Sequence, residues 1–487
     1  MTNLRHKLDD PIFGHIALVA ERTGLETYVI GGFVRDLLLG IPSKDLDFVV
    51  AGSGIDFAQK VGEHLRCKRD VVVYRNFGTA MLRYKGRELE FVGARKESYD
   101  RNSRKPIVEN GTIEDDQKRR DFTINAMAIS MNKANFGELT DPFNGIDDLH
   151  NGIIRTPLEP DTTFSDDPLR MLRAIRFACR LGFRIEEATE QAIARNRERI
   201  KIVSMERIAD ELNKMMATNK PSQAFIMLEK TGLLELIIPQ LCRLHGIEVK
   251  EGRGHKEIFL HTMQVLDNVA AASENIWLRW AALFHDIAKP NVKKFINGAW
   301  TFHSHEFIGA KMVPQLFKQL KLPLDAKMKF VQKMVGMHHR AIPISNDDIS
   351  DSAVRRLMYD AGEDLDDLMI LCEADITSKI EEKKKKFLEN YKIVRRKIKE
   401  LEAKDFRRTW QPPIDGNYIM ETFDLKPCRL VGVIKDCIKD SILDGKIENT
   451  FEAARELMLQ KGAENGLYPK NTPVTPPTAT GDVLSKN

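Results

Sequence analysis

The sequence has no apolar run that approaches the roughly 20 residues a membrane-spanning helix needs, so no membrane partner is expected. It has no CxxC pair either. The six cysteines, Cys67, Cys179, Cys242, Cys372, Cys428 and Cys437, are scattered. That scatter argues against a dense disulfide framework and suits reduced thiols in a cytoplasmic protein. Met1 to Lys7 lead into Asp9-Asp10-Pro11, which lacks the apolar core of a secretory signal. Charge of one sign is scarce as well: the formal net charge is +4 over 487 residues. Bulk charge alone therefore says little about partners. Hydrophobic content of 42% and charged content of 30% are those of a globular protein, and the length favours about three domains. The basic residues are few in excess but clustered, at Lys118-Arg119-Arg120, from Arg170 to Arg176, and from Lys383 to Arg408. Clusters of this kind supply the phosphate contacts that dominate nucleic-acid affinity.

Gly31-Gly32-Phe33-Val34-Arg35-Asp36 is the most informative stretch. Thr27-Tyr28-Val29-Ile30 reads as a strand ending in a glycine turn, with Arg35 and Asp36 opening a helix through Leu37-Leu38-Leu39. Asp45 follows Asp36 by nine residues and starts the extended segment Asp45-Leu46-Asp47-Phe48-Val49-Val50. Residues two apart on a strand share a face, so Asp45 and Asp47 point together. Two such carboxylates repel unless cations bridge them, and Mg²⁺ prefers carboxylates plus substrate phosphates. A glycine turn that admits phosphate beside such a pair argues for nucleotidyl transfer. Thr79 to Tyr84 and Glu88 to Val92 read as paired strands around Lys85-Gly86-Arg87. Glu90 is favoured as a third carboxylate, with Glu88 its competitor on the same face. Residues 97–117 are polar and aperiodic and read as a mobile loop. Arg119-Arg120-Asp121-Phe122-Thr123-Ile124-Asn125-Ala126 follows.

Together, the glycine turn, the acidic pair and the Arg119–Ala126 string resemble polymerase-beta-type nucleotidyltransferases. The resemblance is to the class II branch that holds bacterial CCA-adding tRNA nucleotidyltransferases and poly(A) polymerases. Asp141-Pro142-Phe143-Asn144-Gly145-Ile146-Asp147-Asp148-Leu149 is similar to the family's DPxxGxxDL element, with Asn144 where Gly is usual. Asn tolerates positive φ, so the turn stays plausible. The resemblance implies catalytic acids Asp45, Asp47 and Glu90, with Mg²⁺ on Asp45 and Asp47. It implies nucleotide binding by Gly31, Gly32, Arg35, Arg120, Asp121, Asn125, Asp167, Arg170, Arg173 and Arg176. On spacing alone, Asp166-Asp167-Pro168-Leu169-Arg170 fits a capped helix with a salt bridge equally well. In the family, the matching acid and Arg read the base edge, which would place that task on Asp167 and Arg170. Glu206 to Met216 resembles the family's ERxxxExxK helix, read as packing and RNA-backbone support.

Histidines number only twelve, yet His255, His261, His285, His303, His305, His338 and His339 fall in one region. The order His261, His285-Asp286, Asp375 resembles the all-helical HD phosphohydrolases. Imidazole and carboxylate ligands suit Mn²⁺, Ni²⁺ or Zn²⁺, and His305 with His338 would complete a second ion site. Phe387, Tyr391, Val394, Ile398 and Leu401 form one apolar helical stripe in a basic segment. Residues 471–487 read as a disordered, proline-rich tail.

The expected fold is α+β: a mixed-sheet head over 1–155, a helical neck over 156–245, an HD domain over 246–380 and C-terminal helices over 381–470. The activity implied is addition of CCA to the 3′ end of tRNA from CTP and ATP, by a monomer or dimer, with an accessory HD phosphohydrolase. Poly(A) addition, A-only addition and CC-only addition share the same motifs. A different-class alternative makes the HD hydrolase the working part and the head an RNA-binding module.

Overall fold

The computed structural model describes residues 2–470 except 44, 76–77, 99–106, 247–248, 251–252, 255–256, 342–349, 378–380 and 404–409. The proline-rich tail, His255 and the end of the basic segment at Arg408 lie outside the described residues.

The head opens with α1 (Pro11–Thr23), capped by the Asp10 carboxylate, which accepts from the Ile12 N–H at 2.9 Å. Strand β1 (Thr27–Ile30), helix α2 (Gly32–Leu39) and strand β2 (Asp45–Val50) follow. Helix α3 (Gly54–His64) then crosses over to β3 (Val71–Tyr74), β4 (Thr79–Tyr84) and β5 (Arg87–Gly93). Lys85 and Gly86 both take positive φ, 49° and 77°, so the β4–β5 turn has two residues and Arg87 already belongs to the strand. A small antiparallel ladder joins β6 (Arg95–Ser98) and β7 (Ile107–Asn110), and α4 (Ile113–Lys118) comes next.

Where described, residues 97–117 are not one loop, and 99–106 of that span lie outside the described residues. The polar composition hides a separate two-stranded ladder, and α4 begins with a capping box in which Thr112 and Asp115 satisfy each other's N–H groups. The short helix α5 (Thr123–Ala126) leads to β8 (Ala128–Ser130), β9 (Leu139–Thr140) and α6 (Gly145–Asn151). Asn144 precedes α6 at φ 56°, the left-handed conformation the turn needs.

The seven strands are ordered β3-β4-β5-β2-β1-β8-β9. Only β2 and β5 run parallel within this sheet. Val29, Ile30, Phe48, Val49, Leu89 and Phe91 are fully buried on it.

The neck contains α7 (Pro160–Asp166), α8 (Leu169–Leu181), α9 (Glu187–Asn196) and α10 (Met205–Met216). The chain divides into two compact units. The first comprises Met1–Arg279, Lys289–Phe302 and Pro314–Met328; the second comprises Trp280–Ala288, His303–Val313 and Lys329–Asn487. Among the described residues of the second unit there are helices and turns and no strand. Its last helices bury Ile419, Phe423, Ile434, Ile438 and Met458 together. In the long helix Glu381–Ala403 the residues Tyr391, Val394, Ile398 and Leu401 are buried. Phe387 is 37% exposed, so the apolar stripe starts one turn later than its spacing implies, after the lysine-rich first turns.

Arg279 closes the first unit's helical part. It is buried and donates to the carbonyls of Met216, Thr218, Ala270 and Ser273 at 2.5–3.2 Å. These lie at the ends of α10 and of the helix Ile258–Ala272. Each orphaned buried carbonyl costs about 1–3 kcal/mol. Arg279→Met is therefore expected to destabilise the protein by about 2–4 kcal/mol, read as a drop in thermal unfolding midpoint. An unchanged midpoint would mean these carbonyls are satisfied without the guanidinium.

Candidate functional site

A cavity of about 680 Å³ opens where the sheet's β2–β5 face meets α2, α5 and α8. Gly31, Gly32, Arg35, Asp45, Asp47, Glu90, Arg120, Asp121, Asn125, Asp167, Arg170, Arg173 and Arg176 all line it. The structure therefore gathers around one space residues that are up to 145 positions apart in sequence, from Gly31 to Arg176.

The parallel register of β2 and β5 sets Asp45 opposite Glu88 and Asp47 opposite Glu90. Both glutamates face the cavity. Glu88 accepts from Arg83 at 2.8–2.9 Å, whereas Glu90 stands against Asp47. Burial pushes the Asp47 carboxyl up, and Asp45 and Asp116 add to this against the opposing pull of Arg120. Burial and then Asp47 raise Glu90 likewise. Such all-oxygen, mutually repelling carboxylates fit a hard divalent cation such as Mg²⁺. Gly31 sits at φ 81°, and a Cβ there would lie 3.3 Å from Arg120 Nη1 and 3.5 Å from Asp47 Oδ2. A side chain would strain the turn and crowd the one place where backbone, cation and carboxylate converge.

A chain of hydrogen bonds links three elements. Arg35, at the start of the glycine-turn helix, donates from Nε to Asp36 at 2.8 Å and from Nη1 to Asn125 Oδ1 at 2.7 Å. Asn125 donates to Asp121 Oδ1 at 3.0 Å, and the Phe122 N–H reaches the same oxygen at 2.9 Å. Arg173 of α8 donates to Asp121 Oδ2 at 2.8 Å and 2.6 Å. Burial alone would raise Asp121, but Arg173 and Asn125 hold it down at about 2.

Asp167 and Arg170 do not form the side-chain bridge their spacing allows. Arg170 Nη2 donates to the Arg119 carbonyl at 2.6 Å, and Asp167 accepts from the Leu169 N–H at 3.2 Å. Arg207 of α10 stands 3.7 Å from Asp167. Arg176 is held by Glu211 of α10 at 2.6 Å and lies over the Phe177 ring. Sequence reasoning passed over Asp116 and left Asp36, Arg119 and Arg207, which stand in motifs it used, outside the set of site residues. For Asp116 a signal existed: it precedes Arg119 and Arg120 by three and four residues, the spacing of helical ion pairs.

In the second unit, His285 and Asp286 follow the helix Ile276–Phe284. His285 Nδ1 donates to the Ala282 carbonyl at 2.7 Å and His338 Nδ1 to the Val335 carbonyl at 2.7 Å. These bonds fix the tautomer and turn each Nε2 inward. His285 Nε2 meets Asp286 Oδ2 at 3.2 Å and Asp375 Oδ1 at 3.5 Å. His305 Nε2 lies 3.3 Å from Asp286 Oδ1 and 3.2 Å from His338 Nε2. Burial would lower His285, but Asp286 and Asp375 raise it to about 10. Burial, with His285 and His339, pushes His338 well down. Imidazole nitrogens and carboxylate oxygens so arranged fit a borderline transition metal. His339, which the sequence reading did not single out as a ligand, shares this cluster with His305 and His338, one ligand atom from each lying within 4.8 Å of the others. His261 is buried in the helix Ile258–Ala272 of the first unit.

Asp121 supplies a pH signature. Its folded pKa lies below its ordinary 3.8, at about 2. The stability it contributes is present above the ordinary value and is lost as pH falls through the folded one. Asp121→Asn is expected to cost about 2 kcal/mol at pH 7. The gap to wild type should narrow below about pH 4 and close towards about pH 2. Urea unfolding of both proteins at several pH values measures it, and a gap constant with pH would refute the assignment.

Residues 27–155 match the Poly A polymerase head domain family. Residues 182–244 match the family described as "Probable RNA and SrmB- binding site of polymerase A", and residues 258–380 match the HD domain family. An A-adding tRNA nucleotidyltransferase of Aquifex aeolicus is 40% identical over 216 residues, 44% of this chain. The match spans about a quarter, 26%, of that relative's length. Among solved structures, the Thermotoga maritima CCA-adding enzyme complexed with tRNA is similar at TM-score 0.61 and 21% identity, covering 94% of this chain and 98% of that one. The Bacillus stearothermophilus CCA-adding enzyme in complex with CTP is similar at TM-score 0.63 and 23% identity, covering 93% and 98%. These likenesses establish the fold along nearly the whole chain. Asp45, Asp47, Glu90 and Arg120 thus lie within residues 27–155, the segment that matches the Poly A polymerase head domain family, while Asp167, Arg170, Arg173 and Arg176 of the same cavity lie beyond it, and a match to the HD domain family follows in the same chain.

Proposed function

We propose that this chain is a cytoplasmic, template-independent nucleotidyltransferase that builds the CCA end of tRNA from CTP and ATP. The tRNA 3′-hydroxyl attacks the α-phosphate, the bond to the β-phosphate breaks, and pyrophosphate leaves. One observation supports this reading: Asp45, Asp47 and Glu90 line a single cavity with Arg120, Asp167 and Arg170. Asp45 and Asp47, with Glu90 beside them, would hold Mg²⁺, which when bound supplies charge neutralisation at the phosphates and a more acidic hydroxyl. Arg120 binds the triphosphate. Asp121 and Asn125 order the ribose side of the site. Asp167 accepts from the exocyclic amine that C and A share, and Arg170 donates to a ring acceptor. No described helix is long and apolar enough to cross a membrane.

The second unit would act separately, as a phosphohydrolase of 2′ or cyclic phosphates. His285, Asp286 and Asp375 would hold Mn²⁺, Ni²⁺ or Zn²⁺, with His305 and His338 serving a second ion. A-only addition is the second reading for the head, favoured by the A-adding relative. Incubation with tRNA lacking its end, with each nucleotide singly and in pairs, followed by sequencing of the product, separates the two. Products ending in A alone would replace CCA addition by A addition.

Asp45→Ala or Asp47→Ala is expected to lower nucleotide addition by about three orders of magnitude, the scale of several kcal/mol of charge stabilisation. Binding of tRNA, measured by filter retention, should persist. Near wild-type turnover in either variant would remove these residues from the chemistry. For the second unit, elemental analysis of purified protein should find bound Mn, Ni or Zn in wild type and none after His285→Ala with Asp286→Ala. The double variant should lose hydrolysis of 2′,3′-cyclic phosphate and keep nucleotide addition within about two-fold, as expected of sites that share no residue. Equal hydrolysis by variant and wild type would leave this unit a structural spacer.

A further inference from the structure

We propose that Asp116 is a positioning residue that sets the triphosphate arm and the base-reading arm of the cavity together. The inference rests on the nucleotidyl-transfer reading above and names a residue that reading does not use.

Asp116 is fully buried in α4, with no exposed surface. Each of its carboxylate oxygens serves one guanidinium. Oδ1 accepts from Arg119 Nε at 2.9 Å and Nη2 at 2.5 Å. Oδ2 accepts from Arg120 Nε at 3.1 Å and Nη2 at 2.9 Å. Two guanidinium groups, each donating two N–H to its own oxygen of one carboxylate, fix two adjacent like-charged side chains in a single geometry. The backbone between them is fixed as well. The Arg119 carbonyl, the acceptor for Arg170 Nη2 at 2.6 Å, belongs to that stretch.

The second consequence concerns Arg120. Its Nη1 and Asp47 Oδ2 both border Gly31, 3.3 Å and 3.5 Å from a Cβ built there, and the two charges attract one another. Asp116 and Asp47 therefore compete for one guanidinium. While Asp116 holds Nε and Nη2, the remaining donor stays available towards the cavity. Without the Asp116 charge, the nearest anion for Arg120 is Asp47, and pairing there would occupy an oxygen needed for Mg²⁺. Loss of Asp116 thus slackens Arg170 through the Arg119 carbonyl and misdirects Arg120 at the same time.

A purely structural role would lower the rates with all four nucleotides alike. A positioning role changes their ratio, because Arg170 reads the base. Steady-state addition to tRNA lacking its end, with CTP, ATP, UTP and GTP, tests this on Asp116→Asn. The expected result is a fall of at least about ten-fold in kcat/KM for CTP and ATP, the scale of one lost charged hydrogen bond. A smaller fall for UTP and GTP should reduce discrimination by about ten-fold, with an unchanged circular dichroism spectrum. A uniform fall, or none, overturns the proposal. If Asp116→Asn does not fold, Arg119→Gln decides, since it leaves the Asp116–Arg120 pair intact. It should lower discrimination while raising nucleotide KM less than two-fold or so, and unchanged discrimination overturns the proposal. A wild type that adds no nucleotide overturns the reading and the proposal together. A selective wild type with equally selective variants overturns the proposal alone.

Discussion

The carboxylate of Asp121 is the point on which the cavity-bearing part of the molecule turns. It is buried, it stays ionised, and it does so only because Arg173, Asn125 and a backbone N–H converge on it. Arg173 belongs to the neck, Asn125 to the helix after the basic pair, and Asn125 in turn holds Arg35 beside the glycine turn. A buried charge left without partners costs several kcal/mol, so the three elements are obliged to meet. The cavity inherits its shape from that obligation. Its walls are drawn together by this charge and by the Arg170 bond to the Arg119 carbonyl.

The same charge logic runs in the opposite direction a few ångströms away. At Asp47 and Glu90 the carboxylates repel, and burial makes the repulsion worse. Arg120 relieves part of it, but its guanidinium is already committed to Asp116. An acidic group partly neutralised yet still strained in this way is poised for a divalent cation, while one fully satisfied, like Asp121, is fixed in place. Two aspartates on one wall therefore serve opposite ends: one holds the architecture, the other waits for a ligand.

Much of this was legible in the chain. The strand at Asp45 to Val50 follows from its alternation, and the shared face of Asp45 and Asp47 follows from the period of two. The neck helix announces itself through Pro168 and its apolar repeat. The choice between Glu88 and Glu90 was not decidable locally, because it depends on the register of a parallel pairing between strands about 40 residues apart. Asp116 was hidden for a different reason: its surroundings are polar in composition, and only the tertiary fold shows that its carboxylate is sealed from water. In the histidine region the order of candidate ligands was readable. That His339 joins His305 and His338 was not, since both His338 and His339 lie in the turn after the helix Ala326–Met337, where no helical period fixes which way a side chain faces.

The parallel pairing of β2 with β5 has a bearing on synthesis. Antiparallel neighbours such as β4 and β5 are joined by a two-residue turn and can form as soon as both emerge. The β2–β5 pair must wait for the crossover helix and both intervening strands, and such non-local contacts form slowly. Glu90 therefore reaches Asp47 late, and Arg120 and Arg173 come later still along the chain. Chain order thus lets the acids meet before Arg120 and Arg173 have been made, and their mutual repulsion opposes closure of the β2–β5 pair until those cations follow.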